Sequence, residues 1–515
     1  MIPVSEKWKS HQNELLQPET FVEITYTVTE PGLQGKASLQ ATLPGEYSNT
    51  QQVLDITDKY SDDYATLDYG NWGLDGSYDY EDGTPVDPGY ISSVYSEDTT
   101  VYPVFTINFA QRHDVLIPGI TVTWDVVFGS WASDFRVTAY YDTSVVAQKT
   151  VTGNTSIVCD VFMDLVGYNK ITIEVLGWSH PFQRIRCMEI FLGIRKIYEK
   201  ADLLGFEHSQ SVDLLAAVLP VSSVTFKLRN DDNRWNPDNP VGHEKYLAEQ
   251  QEVRVRYGMD IDGAVEWINC GTFWLSEWST PANGLEAVFT ARDAVDFMAA
   301  IYTGPTSGTL YDIAVAALEE ANLSVLDDGS VRYSVSNVLD FISTDFTRED
   351  GGYTIAEVLQ MVAHAGGCVF YQDRNGVVRI EPRSREDSGY SVEPMISYTH
   401  PEYVLTKPLK AVSVGYGENL RAILDVAAKG EIQTVDNPLI VTEEDAIRVA
   451  TNTKEVLGNR KTISGEFRAD LRMDALDNIV VVSKYAANRV AVTDVTYSTT
   501  GGTFKSTYTG RVEVV

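Results

Sequence analysis

Cysteine is scarce in this chain: Cys159, Cys187, Cys270 and Cys368 are the four among 515 residues. None lies close to another and no C-x-x-C occurs. A dense disulfide framework is therefore excluded, and scattered buried thiols are expected. Spacing alone leaves a Cys159–Cys187 bridge open. Cations are also few, with 40 Lys+Arg against 73 Asp+Glu and a formal net charge of -33. That deficit argues against stable binding to nucleic-acid backbones, which needs excess positive charge. It argues equally against an anionic membrane surface. No apolar run approaches the roughly 18 residues of a membrane span. The most apolar stretch, Leu214 to Val221, is short and contains Pro220. The N-terminus turns polar at Ser5-Glu6-Lys7 and carries no signal-peptide core, so synthesis and folding in a cytoplasm are expected.

Catalytic signatures are missing too. The seven histidines are dispersed, with no H-E-x-x-H and no close pair, which removes the usual catalytic zinc patterns. There is no P-loop, no G-x-G-x-x-G and no G-x-S-x-G elbow, so nucleotide and hydrolase motifs lack support. A glycosidase needs only two well-placed carboxylates, and 73 acids supply such pairs by chance. The run Asp75-Gly76-Ser77-Tyr78-Asp79-Tyr80-Glu81-Asp82-Gly83 fails the EF-hand pattern and reads as a solvated acidic loop. No metal, no cofactor and no enzymatic activity are expected.

What is present is a globular β-rich chain. Hydrophobic residues make up 43% and charged residues 22%, an ordinary folded balance. The length predicts about three domains. Phe21 to Thr29 alternates β-branched and aromatic residues and predicts a strand; Lys36 to Leu43 predicts a second. From Asp55 to Asp98 stand twelve acids and one base, Lys59, rich in Gly and Tyr, which predicts mostly loop. Strands are then predicted at Val104–Phe109, Ile120–Phe128, Asp134–Tyr141, Ser156–Val161, Lys170–Leu176 and Arg186–Leu192. Short strands so closely spaced read as a sandwich. Further strands at Val221–Leu228, Gln251–Tyr257, Trp267–Trp278 and Leu285–Ala291 read as a barrel or curled sheet.

Helices are predicted only later. Leu310, Ile313, Ala314, Ala317, Leu318 and Ala321 share one face at helical spacing. Thr354-x-x-Glu357 is a capping box, opening a helix that stops at Gly366-Gly367. A hairpin turns at Asp373-Arg374-Asn375-Gly376, and strands are predicted at Val412–Tyr416 and Leu420–Ala427. Glu443–Leu457 predicts a helix, and Ile479–Ser483, Arg489–Tyr497 and Phe504–Arg511 predict closing strands.

Aromatic residues in the sandwich region carry binding chemistry. Sugars stack on flat rings and take hydrogen bonds from Asp, Asn and Arg. Trp72, Tyr78, Tyr80, Tyr90, Trp131 and Trp178 have suitable side chains, whereas Trp124, inside a predicted strand, is expected in the core. Loops carry function more often than cores do. The candidate glycan contacts are therefore Trp72, Asp75, Tyr78, Asp79, Tyr80 and Trp131, with Asp75 and Asp79 as acceptors.

Several runs resemble phage tail proteins. Gln17-Pro18-Glu19-Thr20-Phe21-Val22-Glu23-Ile24-Thr25-Tyr26 is similar to the opening of tail proteins from phages and prophages of Gram-positive hosts. So are Tyr64-Ala65-Thr66-Leu67-Asp68 and Trp72-Gly73-Leu74-Asp75-Gly76-Ser77. The strands from Val104 to Gly193, closing on Arg184-Ile185-Arg186-Cys187-Met188-Glu189-Ile190, resemble a discoidin-type, galactose-binding-like jelly roll. The remainder resembles tail-hub (tail-tip, baseplate-hub) proteins. That likeness rests on Arg229-Asn230-Asp231, Asn236-Pro237, Asn239-Pro240, Phe289-Thr290-Ala291-Arg292-Asp293, Ala363-His364-Ala365-Gly366-Gly367, Asn437-Pro438-Leu439-Ile440 and Tyr508-Thr509-Gly510-Arg511 in this order.

The resemblance implies a mainly β fold with a minor α+β part: tail-hub β-barrel domains plus an inserted β-sandwich jelly roll. It divides the chain into 1–47, the first part of barrel 1; 48–195, the inserted jelly roll; 196–300, the second part of barrel 1; 301–398, an α+β domain; and 399–515, barrel 2 and closing strands. Strands near 21–43 are expected to pair with strands after 200. The implied function is a structural hub that closes the tail tube, a homotrimer meeting the distal tail and tape-measure proteins. It would sit at the virion's tail tip, with the jelly roll on host-surface glycan. Ending at Val515, the chain is expected to carry no C-terminal wall-degrading enzyme. A distal tail ring protein with a carbohydrate-binding insertion is the alternative, and a carbohydrate-active enzyme comes third. Acidic residues facing a lumen would repel DNA and let it slide.

Overall fold

The computed structural model describes residues 1–14, 18–29, 33–43, 53–54, 64–66, 73–78, 89–96, 102–126, 128–233, 235–236, 238, 251–281, 284–323, 330–348, 351–384, 386–417, 420–499 and 504–513. The chain is mainly β with a minor α+β part. It divides into two compact units, one of Met1–Thr25, Ile197–Leu323 and Val331–Val515, the other of Tyr26–Lys196. The four cysteines are free thiols.

The larger unit holds most of one sheet of 13 strands. Along its path lie Ile194–Tyr198, Thr20–Val28, Glu252–Ile261, Ala264–Ser279, Glu286–Arg292, Val221–Arg229, Leu203–Ser211, Ala487–Thr499, Phe504–Val512, Lys461–Arg468 and Glu402–Leu405. Asn478–Val482 branches from Ala487–Thr499 and carries Ser391–Val392. The decisive joint is the antiparallel pairing of Phe206 through Ser211 with Thr499 through Asp494. Beneath it, Phe206, Tyr257, Phe273, Tyr497 and Phe504 are buried. Their rings meet edge to face, as Phe206 and Tyr257 do at 6.0 Å.

A second core holds the three longer helices of this unit. Helix α1 (Glu6–Gln12) is capped by Ser5 and buries Trp8. Helices α2 (Leu310–Ala321) and α3 (Ile355–Gly366) each open on a complete capping box, Thr309 with Asp312 and Thr354 with Glu357. Helix α3 stops at Gly367, whose φ of 69° suits a residue without Cβ. Helix α4 (Glu443–Gly458) packs in the same core, together with Val412, Val414, Leu439 and Ile440. The expected boundary between 398 and 399 thus falls inside one hydrophobic cluster. Leu409–Tyr416 and Leu420–Asp425 pair with each other and with Glu431–Val435, not with the main sheet. Their apolar faces match α4 rather than a barrel interior.

The smaller unit is a β-sandwich. One sheet runs Ala37–Ala41, Val104–His113, Tyr168–Trp178, Ala132–Tyr141, Ser144–Val151; facing strands are Val158–Leu165, Ile117–Thr123 and Glu189–Phe191. Phe105, Ile107, Trp124, Phe135, Val137, Ile171 and Ile173 fill the space between them. One expectation needs correction, and two strand observations add to the sequence reading. The strand at Ala37–Ala41 pairs with Val104–His113, because Leu39 belongs to this core and not to the barrel. The stretch 55–98, expected to be mostly loop, also carries short strands: Tyr64–Thr66 pairs with Gly73–Tyr78, and Tyr90–Tyr95 with Arg184–Cys187. Dense Gly and Ser masked the alternation there. Ser144–Val151 escaped prediction because, as a largely exposed edge strand, it shows no inward-outward alternation.

Candidate functional site

The sandwich has two loop-bearing ends. Tyr168 faces His113, and Trp178 faces Ala132, so the two ends of the Tyr168–Trp178 strand mark them. At the Trp178 end converge the turn 124–131, the segment 152–157 and the turn 179–183. Asp125 organises the first turn. Its Oδ1 accepts from Phe128 N at 3.1 Å and its Oδ2 from Ser130 Oγ at 3.0 Å. The buried Arg186 guanidinium lies 3.6 Å away and stacks on Phe128 at 4.5 Å. A buried ion pair with further hydrogen bonds holds its geometry firmly.

Trp131 follows directly. Its backbone N accepts nothing and donates to Ser179 Oγ at 2.9 Å, and its indole Nε1 donates to Asn154 O at 2.8 Å. His180 meets the indole edge to face at 5.7 Å and takes Ser179 Oγ at Nδ1, 2.9 Å away. With the N–H engaged and the ring packed partly against the sandwich core, any exposed part of the indole can meet a ligand as an apolar surface rather than as a donor. Phe182 stands two residues on, 56% exposed. Its φ of 57° places a bulky residue in the left-handed region, where strain of about 1–3 kcal/mol collects at functional turns. The Trp131–His180 ring pair, with its exposed imidazole, has the chemistry for stacking on an apolar sugar face and one or two polar contacts.

Of the residues singled out from sequence, Trp131 is at this end. Trp72, Asp79 and Tyr80 lie outside the described residues. Asp75 and Tyr78 fall within the strand Gly73–Tyr78 rather than a loop. Trp124 is fully buried and meets Phe135 and Trp178 edge to face, as a core tryptophan should. Tyr90 is buried as well, with its hydroxyl donating to Leu43 O. His180 and Phe182 were not anticipated; the signal was Trp178-Ser179-His180-Pro181-Phe182, a proline turn flanked by rings.

A second polar constellation lies in the larger unit. His208 Nδ1 is 2.8 Å from Tyr257 Oη and 3.4 Å from Cys270 Sγ. The pair invites comparison with a cysteine nucleophile and its base. Burial, helped by Arg374, pushes the imidazole down to about 3, and burial pushes the thiol up to about 12. Both groups are neutral and enclosed, so no thiolate forms there. Arg374 explains the arrangement. It donates to Asp474, Asn269 O, Leu471 O and Met473 O at 2.7–3.1 Å. Among the described residues, no group of three His, Cys, Asp or Glu is placed to hold a metal. No described helix is long and apolar enough to cross a membrane.

No family model and no curated protein matches the sequence. Solved structures are similar over parts of the chain. The 43 kDa tail protein of prophage MuSo2 from Shewanella oneidensis is similar at 13% identity, over 61% of this chain and 94% of that one, with a TM-score of 0.43. Prophage tail protein gp18 from Listeria monocytogenes is similar at 10% identity, over 61% and 91%, with a TM-score of 0.40. A smaller part of the chain is similar to the family 32 carbohydrate-binding module of C. perfringens NanJ, solved with galactose. Identity there is 12%, over 33% and 99%, with a TM-score of 0.21.

Proposed function

We propose that the chain is a hub at the tip of a phage tail or tail-like particle, working by assembly rather than by bond chemistry. Three copies close a ring around the tail axis, between the distal tail and tape-measure proteins, and the sandwich meets host-surface glycan. The observation that carries the ring is the end of the 13-stranded sheet. Its last strand, Glu402–Leu405, pairs on one side with Lys461–Arg468 and exposes Tyr403, Val404 and Leu405 at 40%, 50% and 67%. Exposed apolar edges invite pairing with another chain. A ring of heterologous contacts closes when each copy offers such an edge to the next.

Counting copies in purified particles by quantitative mass spectrometry tests this. Three per particle supports the hub, with Leu405→Lys giving monomers in light scattering. Six favours a distal tail ring, and absence from the particle overturns the reading. For the glycan, the Trp131–His180 ring pair, with the exposed Phe182 on the following turn, is the supporting geometry. The full chain is expected to bind a wall or capsule glycan on an array, and Trp131→Ala to weaken it at least tenfold. Unchanged binding by that variant moves the site elsewhere.

A further inference from the structure

A cleft of about 450 Å3 opens beside the last turn of α4, where Ala487–Thr499 and Phe504–Val512 run past it. Arg383, Arg489, Arg511 and Lys454 line it, with Glu455 and Glu513 as the carboxylates. Among the described residues, four cations against two anions is a local reversal in a chain of net charge -33. The deeper groups are more one-sided still. Glu513 serves two arginines, taking Arg383 Nη1 at 2.6 Å and Arg489 Nε at 3.3 Å. Arg511 is half-buried and donates one hydrogen bond, to Asn459 O at 3.3 Å. No carboxylate lies within ion-pairing distance of it among the described residues. Burial lowers its pKa, and Asp213 opposes this only through space.

A half-buried guanidinium without a carboxylate keeps a desolvation cost that an incoming anion offsets. Asn459 O, just past α4, uses one of its N–H groups; the others meet no acceptor among the described residues and can serve a ligand. Arginine forks match the paired oxygens of phosphate and carboxylate groups. A cleft of this size accepts a small ligand or the head of a longer one. We propose that this cleft binds a dianionic oxyanion, a phosphate or a pair of carboxylates, with Arg511 as the principal contact and Arg489 beside it.

The test is calorimetric titration of the full chain with inorganic phosphate and, separately, succinate, at matched ionic strength. Saturable binding of either probe is expected, weakened at least tenfold by Arg511→Gln and unchanged by Arg421→Gln, an exposed arginine paired with Asp436. The tighter probe identifies the ligand class. Should Arg511→Gln fail to fold, Arg511→Lys, which keeps the charge and loses the fork, is expected to weaken binding several-fold. No saturation with either probe, or equal affinity in the Arg511 variants, overturns the proposal.

Discussion

Asp293 is a buried carboxylate whose charge the fold opposes. Its side chain caps the short helix Ala294–Phe297, with Oδ1 accepting from Val295 N at 3.2 Å, while Oδ2 has no partner among the described residues. Burial, with a smaller push from Asp296, raises its pKa from 3.8 to about 7. The native chain therefore holds a proton that the unfolded chain releases. The resulting stability is full below pH 3.8 and is lost as pH rises toward 7. At about 1.4 kcal/mol per pKa unit it amounts to a few kcal/mol. His208 has the opposite sign: held down at about 3 against an ordinary 6.5, it costs stability as pH falls between those values. The two overlap, so the variant separates them. Asp293→Asn is expected to gain Tm relative to the parent progressively from pH 4 to 8, and a flat difference curve would remove Asp293 as the source.

At the scale of elements, capping and alternation did much of the work. The Thr354–Glu357 box and the Gly367 stop were legible because helix ends need specific side chains. Ala37–Ala41 shows where local signals fail. Its strand character was readable, yet its partner was not, since Val104–His113 lies more than sixty residues away. This pairing bears on how the sandwich can be dissected. Leu33 and Leu39 sit in the sandwich core, and Ala37–Ala41 covers the edge of Val104–His113. A fragment of residues 26–196 is expected to unfold cooperatively on heating. A fragment of residues 48–195 exposes that strand edge and loses those two leucines; it should melt at least 10 °C lower or aggregate. Equal melting of the two would show that the strand is dispensable.

At the scale of the larger unit, Arg374 ties together segments remote in sequence. It sits at the tip of the hairpin between Cys368–Gln372 and Val378–Pro382, reaching Asn269 on one side and Leu471 to Asp474 on the other. Tyr497 adds to the same knot, its hydroxyl within hydrogen-bond reach of Asp470 O at 2.8 Å and Met473 O at 2.7 Å, able to donate to either. Removing one partner from a buried charged network typically costs about 3–5 kcal/mol. Arg374→Ala is expected to lower the denaturant midpoint accordingly. A change below about 1 kcal/mol would mean that the carbonyls find water and that the knot is not a structural centre.

The sequence by itself determined the β-rich class, the helix ends, the burial of Trp124 and the shortage of cations. Each follows from composition or from spacing within a few residues. It pointed to aromatic residues in the sandwich without saying which rings share an end. Only the tertiary structure brought Trp131, His180 and Phe182 to one end of the sandwich, because strand pairing sets which turns are neighbours. Only it put Arg383, Arg489 and Arg511 around one cleft in an acidic chain, and joined Leu203–Ser211 to Ala487–Thr499. Contacts spanning hundreds of residues leave no periodicity to read. They are selected by the burial of whole faces, and that is decided when the sheets close.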